Sequence, residues 1–220
     1  MIARISIYLA GFAVALLAAG CATRATSIEA QWVSPSLAGR DRVQSVLVVA
    51  AMRDSTQRRM LEDRMVAALS AGGVRAVPSH KYVIDGAQVS EAQLRKAVAD
   101  TGASYVLMSS ISGVTTDVRV TQQMIMGPAW GPGWGWHSGM MGPGWGGMSS
   151  FYSASWNRSF AADVRTTQNV HGDTRLFDAK SAEVVWSAAT RTETGWDSVP
   201  DMINQYVALI VEALRKDAVI

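Results

Sequence analysis

The order of apolar and polar positions divides the chain into an irregular start, a half that alternates strand and helix, and a half built of hairpins. Gln44 to Arg53 encloses a continuous Val-rich apolar run, which predicts a strand buried on both faces. Asp54 and Gln57 follow with capping-box spacing. Leu61, Met65, Ala68 and Leu69 then form one apolar stripe of a helix reaching about Ala71. Arg58, Arg59, Glu62, Asp63 and Arg64 fill much of the rest, and Gly72-Gly73 ends the helix. Val74 to Val77 predicts a short strand stopped by Pro78. Ser90 and Gln93 form a second capping box, opening a helix to Thr101 with Gly102 after it. Ser104 to Gly113 is the next strand. Residues 44–113 therefore read β-α-β-α-β, which implies crossovers and a partly parallel sheet.

Beyond Gly113 the period changes. Val114, Thr116, Val118 and Val120 alternate with Thr115, Asp117, Arg119 and Thr121, as in a half-exposed strand. Ser155 to Gln168 again carries strand-forming residues, among them Trp156, Phe160 and Val164. These two segments read as the arms of a long hairpin. Thr174 to Thr192 is a second hairpin with its turn at Asp178 to Glu183. Ser198, Pro200 and Asp201 open a last helix with an N-cap, an early proline and an acid in the first turn. Its apolar face is Ile203, Val207, Ile210, Val211 and Leu214, and Arg215 and Lys216 sit at its end. The expected fold class is α/β (α+β): a mixed sheet with helices packed on it, and a long hairpin carrying a disordered Gly/Trp/Met-rich tip.

The N-terminus has a different character. Arg4 is followed by an apolar run from Ile5 to Ala19, then by Leu17-Ala-Ala-Gly-Cys21. That run is short for a membrane span and has the length of a signal-peptide core. A signal anchor with an incidental cysteine is the alternative. Leu17 to Cys21 resembles the lipobox of bacterial lipoproteins. The resemblance implies cleavage before Cys21 and a thioether diacylglycerol plus an amide-linked acyl chain on that residue. Several chains make a stable anchor where one is marginal. Ala22 rather than Asp after the cut implies, in such lipoproteins, sorting to the outer membrane. The expected organisation is a signal peptide over 1–20, a lipidated Cys21 with a flexible tether over 21–42, and one domain over 43–218. A low-complexity insertion occupies about 124–150 of that domain.

The layout of the domain carries a second resemblance. A Val-rich strand, two helix–strand units, a long hairpin, the pair Leu176, Asp178, Glu183, Val184, Val185 and Trp186, and a closing helix are similar to one group of periplasmic lipoprotein domains. That group is related to the N-terminal domain of the Tol-system β-propeller protein. It includes penicillin-binding-protein activator and curli secretion lipoproteins. Many relatives have Thr-Gly in the turn where this chain has Ser181-Ala182. The resemblance implies binding or assembly in the envelope and no catalytic residues.

Composition narrows the chemistry. The 220 residues carry a formal net charge of +2, which gives no electrostatic reason to expect a nucleic-acid partner. With one cysteine, no intramolecular disulfide is possible. His80, His137 and His171 are the three histidines, and neither H-E-x-x-H nor G-x-S-x-G occurs. Gly142 to Gly147 matches G-x-G-x-x-G formally, but follows no strand and opens no helix. Glu62 and Asp63 read as a solvated helix face. Trp186, Trp196, Met60, Met65 and Met108 read as core. No enzyme and no cofactor are expected beyond the covalent lipid on Cys21.

The unusual segment is Met124 to Met148, with nine Gly, four Trp, five Met, three Pro and one His in twenty-five residues. No Asp, Glu, Lys or Arg occurs from Val120 to Asn157. Four readings stand side by side. It is a tolerated insertion at a hairpin tip. It is a contact surface, in which Trp130, Trp134, Trp136 and Trp145 touch the membrane, an envelope protein or glycan. It is a Cu(I) site of His137, Met140 and Met141, with Met124, Met126 and Met148 nearby. Or it self-associates. The partners expected are a membrane, reached through the lipid anchor, and an envelope protein.

Overall fold

The computed structural model describes residues 26–37, 39–83, 89–116, 148, 152, 168–194 and 198–220. Among these residues a mixed six-stranded sheet runs in the order β1-β6-β5-β4-β2-β3. The strands are β1 (Thr26–Val33), β2 (Ser45–Ala51), β3 (Arg75–Pro78), β4 (Tyr105–Thr116), β5 (Gln168–Asp178) and β6 (Val184–Thr194). The described helices are α1 (Ser55–Ala71), α2 (Glu91–Thr101) and α3 (Val199–Lys216). β2 pairs in parallel with β3 and with β4, as the two crossovers require. From β4 onward every pairing is antiparallel.

The sheet is covered on both faces, which is why all seven residues of β2 are buried. On one face Val46, Val48, Ala50, Leu107, Leu176 and Trp186 pack with Leu61, Met65 and Leu69 of α1 and Ile203, Val207 and Ile210 of α3. On the other, Leu47, Val49, Val106, Met108 and Phe177 pack with Leu94 and Ala97 of α2, and with Met148 and Tyr152. The predicted caps hold. Asp54 accepts a hydrogen bond from the Gln57 amide at 2.8 Å, Ser90 and Gln93 close a reciprocal box, and Ser198 accepts from the Asp201 amide. The α1 cap shows the acceptor half of its box. Trp186 is fully buried and donates its indole N–H to Asp217 at 2.7 Å.

Several expectations are corrected. The tether expected over 21–42 contains β1, which pairs with β6 from Thr26↔Thr192 to Val33↔Trp186. A short 3₁₀ turn at Pro35–Leu37 follows it. The C-terminal boundary moves as well. Val219 is buried, and its carbonyl accepts from the Val43 amide at 2.9 Å, so the packed fold reaches past residue 218. Ser104–Gly113 and the alternation beginning at Val114 are one strand, β4, carried through a bulge between Ile111 and Gly113. Pro78, expected to stop the strand after Val77, is instead the last residue of β3, tolerated because β3 is an edge strand. The parts of the expected hairpin arms at 117–123 and 155–167 lie outside the described residues, as does Trp196. The described stem is β4 against β5, from Tyr105↔Asp178 to Thr116↔Gln168.

Candidate functional site

The residues singled out in the sequence are unevenly placed. Cys21, Trp130, Trp134, Trp136, Trp145, His137, Met140 and Met141 all lie outside the described residues, as do Met124 and Met126. Met148 is the exception: it is fully buried in the core between the sheet and α2. A thioether enclosed by Leu47, Val49, Met108 and Phe177 is not open to an ion arriving from solvent. That removes Met148 from the copper set. Among the described residues no cluster of His, Cys, Asp and Glu could hold a metal ion. No described helix is long and apolar enough to cross a membrane.

The structure also brings together polar residues that sequence reasoning had left on the surface. Glu62 is not solvated: its side chain is 0% exposed, and that of Arg58, one turn earlier on α1, is 1% exposed. Glu62 Oε1 accepts from the Ala50 amide at 3.0 Å, from Arg58 Nε at 3.2 Å and from the Ser79 hydroxyl at 2.7 Å. Its Oε2 accepts from the His80 amide at 2.7 Å and faces His80 Nδ1 at 3.0 Å. Arg58 also donates to Ser79 Oγ at 3.1 Å. His80 Nε2 lies 3.5 Å from Asp63. The carboxylate thus joins the end of β2, the end of β3 and the first turns of α1. A signal for this existed. Arg58 and Glu62 fall in phase with Leu61, Met65 and Leu69, on the buried side of the helix.

The cluster has the residue types of a hydrolase and the wrong connections. A nucleophile must give its proton to a base. The Ser79 hydroxyl donates its hydrogen bond to a Glu62 oxygen already taken by Arg58 and the Ala50 amide, it is fully buried away from any substrate, and His80 faces the two carboxylates rather than Ser79. Arg58, Glu62 and Ser79 are buried, His80 is half-buried and Asp63 is exposed, and the arrangement acts as a clamp between elements.

Two further polar groups tie the antiparallel half. His171 on β5 bridges Thr115 on β4 at 3.0 Å and Glu29 on β1 at 3.3 Å. Tyr206 on α3 places its hydroxyl against Thr174 of β5, next to Ser109 of β4. Burial pushes the Tyr206 phenol pKa above its ordinary 10.0. Hydrogen bonds with Ser109 and Thr174 oppose that, and the Asp173 carboxylate adds to it. On the opposite face Arg175 is buried and paired to Asp173 at 2.7 Å.

No family model matches the chain, and no curated protein matches it. Solved structures similar to it include two PelC dodecamers from Paraburkholderia phytofirmans, one of them a point variant. The variant has a TM-score of 0.45 and 14% identity over 86% of this chain and 95% of the other. The second has a TM-score of 0.43 and 15% identity over 86% and 94%. The lipoprotein GNA1162 from Neisseria meningitidis has a TM-score of 0.38 and 16% identity over 79% and 99%. Likeness at this level assigns neither family nor function.

Proposed function

We propose that the chain is a non-enzymatic envelope lipoprotein, anchored in the outer membrane through lipid on Cys21 and facing the periplasm. There it serves as a binding or assembly component. The observation that carries this reading is the lipobox-like Leu17-Ala-Ala-Gly-Cys21, followed at Thr26 by the first strand of a packed domain. An acylated cysteine uses up the chain's one thiol. The connections of Ser79, His80 and Glu62, which serve packing, support the non-enzymatic part. The contact residues in this reading are Trp130, Trp134, Trp136 and Trp145, large amphipathic side chains in a segment without charge.

Two measurements test it. Metabolic labelling with an alkynyl fatty acid marks the wild-type protein and not Cys21→Ser; equal labelling, or equal membrane retention, refutes the lipid anchor. A photo-crosslinking residue at position 134, with a control at exposed Arg59, tests the contact role in intact cells. A discrete adduct at 134 and not at 59 is the expected result. Its absence refutes a contact through that residue.

A further inference from the structure

The strand register fixes where the anchor joins the sheet. Thr26, the first residue of β1, lies opposite Thr192 of β6; Thr192 lies opposite Val170 of β5, and Val170 opposite Val114 of β4. These four residues form one row. With adjacent strands about 4.8 Å apart, Thr26 and Val114 lie within roughly 15 Å of each other. β4 continues toward this end past Ser110, its last residue opposite β2, and still pairs with β5 at Thr116↔Gln168. At about 3.3 Å per residue, β4, β5 and β6 stand roughly 20 Å beyond the end of β2, and β1 begins roughly 13 Å beyond it. The opposite end of the sheet carries the β5–β6 turn, because Tyr105 at the start of β4 faces Asp178 at the end of β5.

Only Ala22 to Ala25 separate Cys21 from Thr26. Fully extended, that connection reaches about 17 Å. The headgroup layer on one side of a bilayer is itself about 5–8 Å thick. We propose that the projecting end of the ribbon is apposed to the membrane and that phospholipid headgroups occupy it. Exposed Val114 of β4 lies at that end, and exposed Val199 opens α3 five residues after β6 ends at Thr194. The inference rests on the lipid-anchor reading and adds an orientation to it. Thr116 and Gln168 flank the Trp-rich segment, so that segment joins the fold at the same membrane-facing end.

Lipidation of Cys21 leaves any introduced cysteine as the single free thiol. The test uses the full lipidated chain in phosphatidylethanolamine/phosphatidylglycerol vesicles containing a headgroup-nitroxide lipid. An environment-sensitive fluorophore is attached to Val114→Cys, to Glu193→Cys on β6, two strands away, or to Lys180→Cys in the turn at the far end. The expected result is loss of most emission, with a blue shift, at 114 and 193, and unchanged emission at 180. Two near-end positions guard against a local packing defect at either one. Unquenched probes at both near-end positions on vesicle-bound protein overturn the orientation, as does equal quenching at 180. A protein that fails to float with the vesicles overturns the lipid anchor, and the orientation with it.

Discussion

A carboxylate removed from water survives only where its lone pairs are filled, and Glu62 is such a case. Its oxygens receive the Ala50 and His80 amides, the Ser79 hydroxyl and Arg58 Nε. Glu62→Ala leaves the Arg58 guanidinium buried beside two unmet backbone donors, the Ala50 and His80 amides. Breaking one side of a buried pair costs about 3–5 kcal/mol. Removing both charges with Arg58→Met and Glu62→Leu recovers only part of this, because the two amides remain orphaned. Urea denaturation of the two variants checks the order; a double variant as stable as wild type would show that the amides are satisfied otherwise. Tyr206 supplies a pH signature. Its pKa is raised in the fold, with burial as the first cause. The folded chain therefore keeps a proton that the unfolded chain releases near pH 10. Stability from this group is complete below pH 10 and is lost as pH rises through the folded pKa. Tyr206→Phe should show a shallower decline of stability than wild type above pH 10, measured by chemical denaturation at stepped pH. Parallel declines would contradict it. Glu62 was illegible in the sequence because a charged side chain on a helix is mostly solvated. Only its phase with the apolar stripe distinguished it.

Among elements, the legible ones carry a strong period and a cap: β2, α1, α2, α3 and the β5–β6 hairpin. β1 was hidden because edge strands lack the signal. One face and one edge are open, seven of its eight residues are not buried, and a bulge between Ile28 and Ala30 breaks the alternation. A chain beginning at Ser34 tests whether β1 is part of the fold. It would expose the edge of β6, and at roughly 1 kcal/mol net for each ladder hydrogen bond it should lose several kcal/mol and associate. Unchanged stability and a monomeric sedimentation profile would return residues 26–33 to the status of a tether. The β5–β6 turn carries its own prediction. Ala182 has φ +56°, and Asp178 Oδ1 receives the amides of Lys180 and Ser181 around it. The left-handed conformation costs a residue with a Cβ about 1–2 kcal/mol, and the entropy of glycine returns part of that. Ala182→Gly is therefore expected to stabilise by roughly 0.5 kcal/mol, read as a rise in denaturation midpoint. A fall would mean that the buried methyl contributes more than the strain removes.

At the scale of the molecule, the connection from Cys21 to the first strand is shorter than the sequence suggested, and under the proposed lipid-anchor reading this changes what the anchor can do. A tether of twenty residues would let the domain tumble above the bilayer. With four residues before β1, the anchor limits the standoff of the projecting ribbon. Lengthening the connection separates the two effects of the lipid, attachment and orientation. About ten Gly/Ser residues inserted after Arg24 leave Cys21 and its preceding motif untouched, so attachment is retained. The linker then behaves as a random coil of roughly 20 Å root-mean-square span, enough for the domain to lift and turn. Quenching of a probe at Val114→Cys should fall, and the contrast with Lys180→Cys should shrink, while vesicle flotation stays as in wild type. If the contrast survives the insertion, the ribbon end binds headgroups through its own side chains, and the short connection follows from that contact rather than causing it. If the contrast collapses, orientation comes from chain length alone. In that case β1, the strand taken from sequence as slack, sets which end of the sheet the membrane meets.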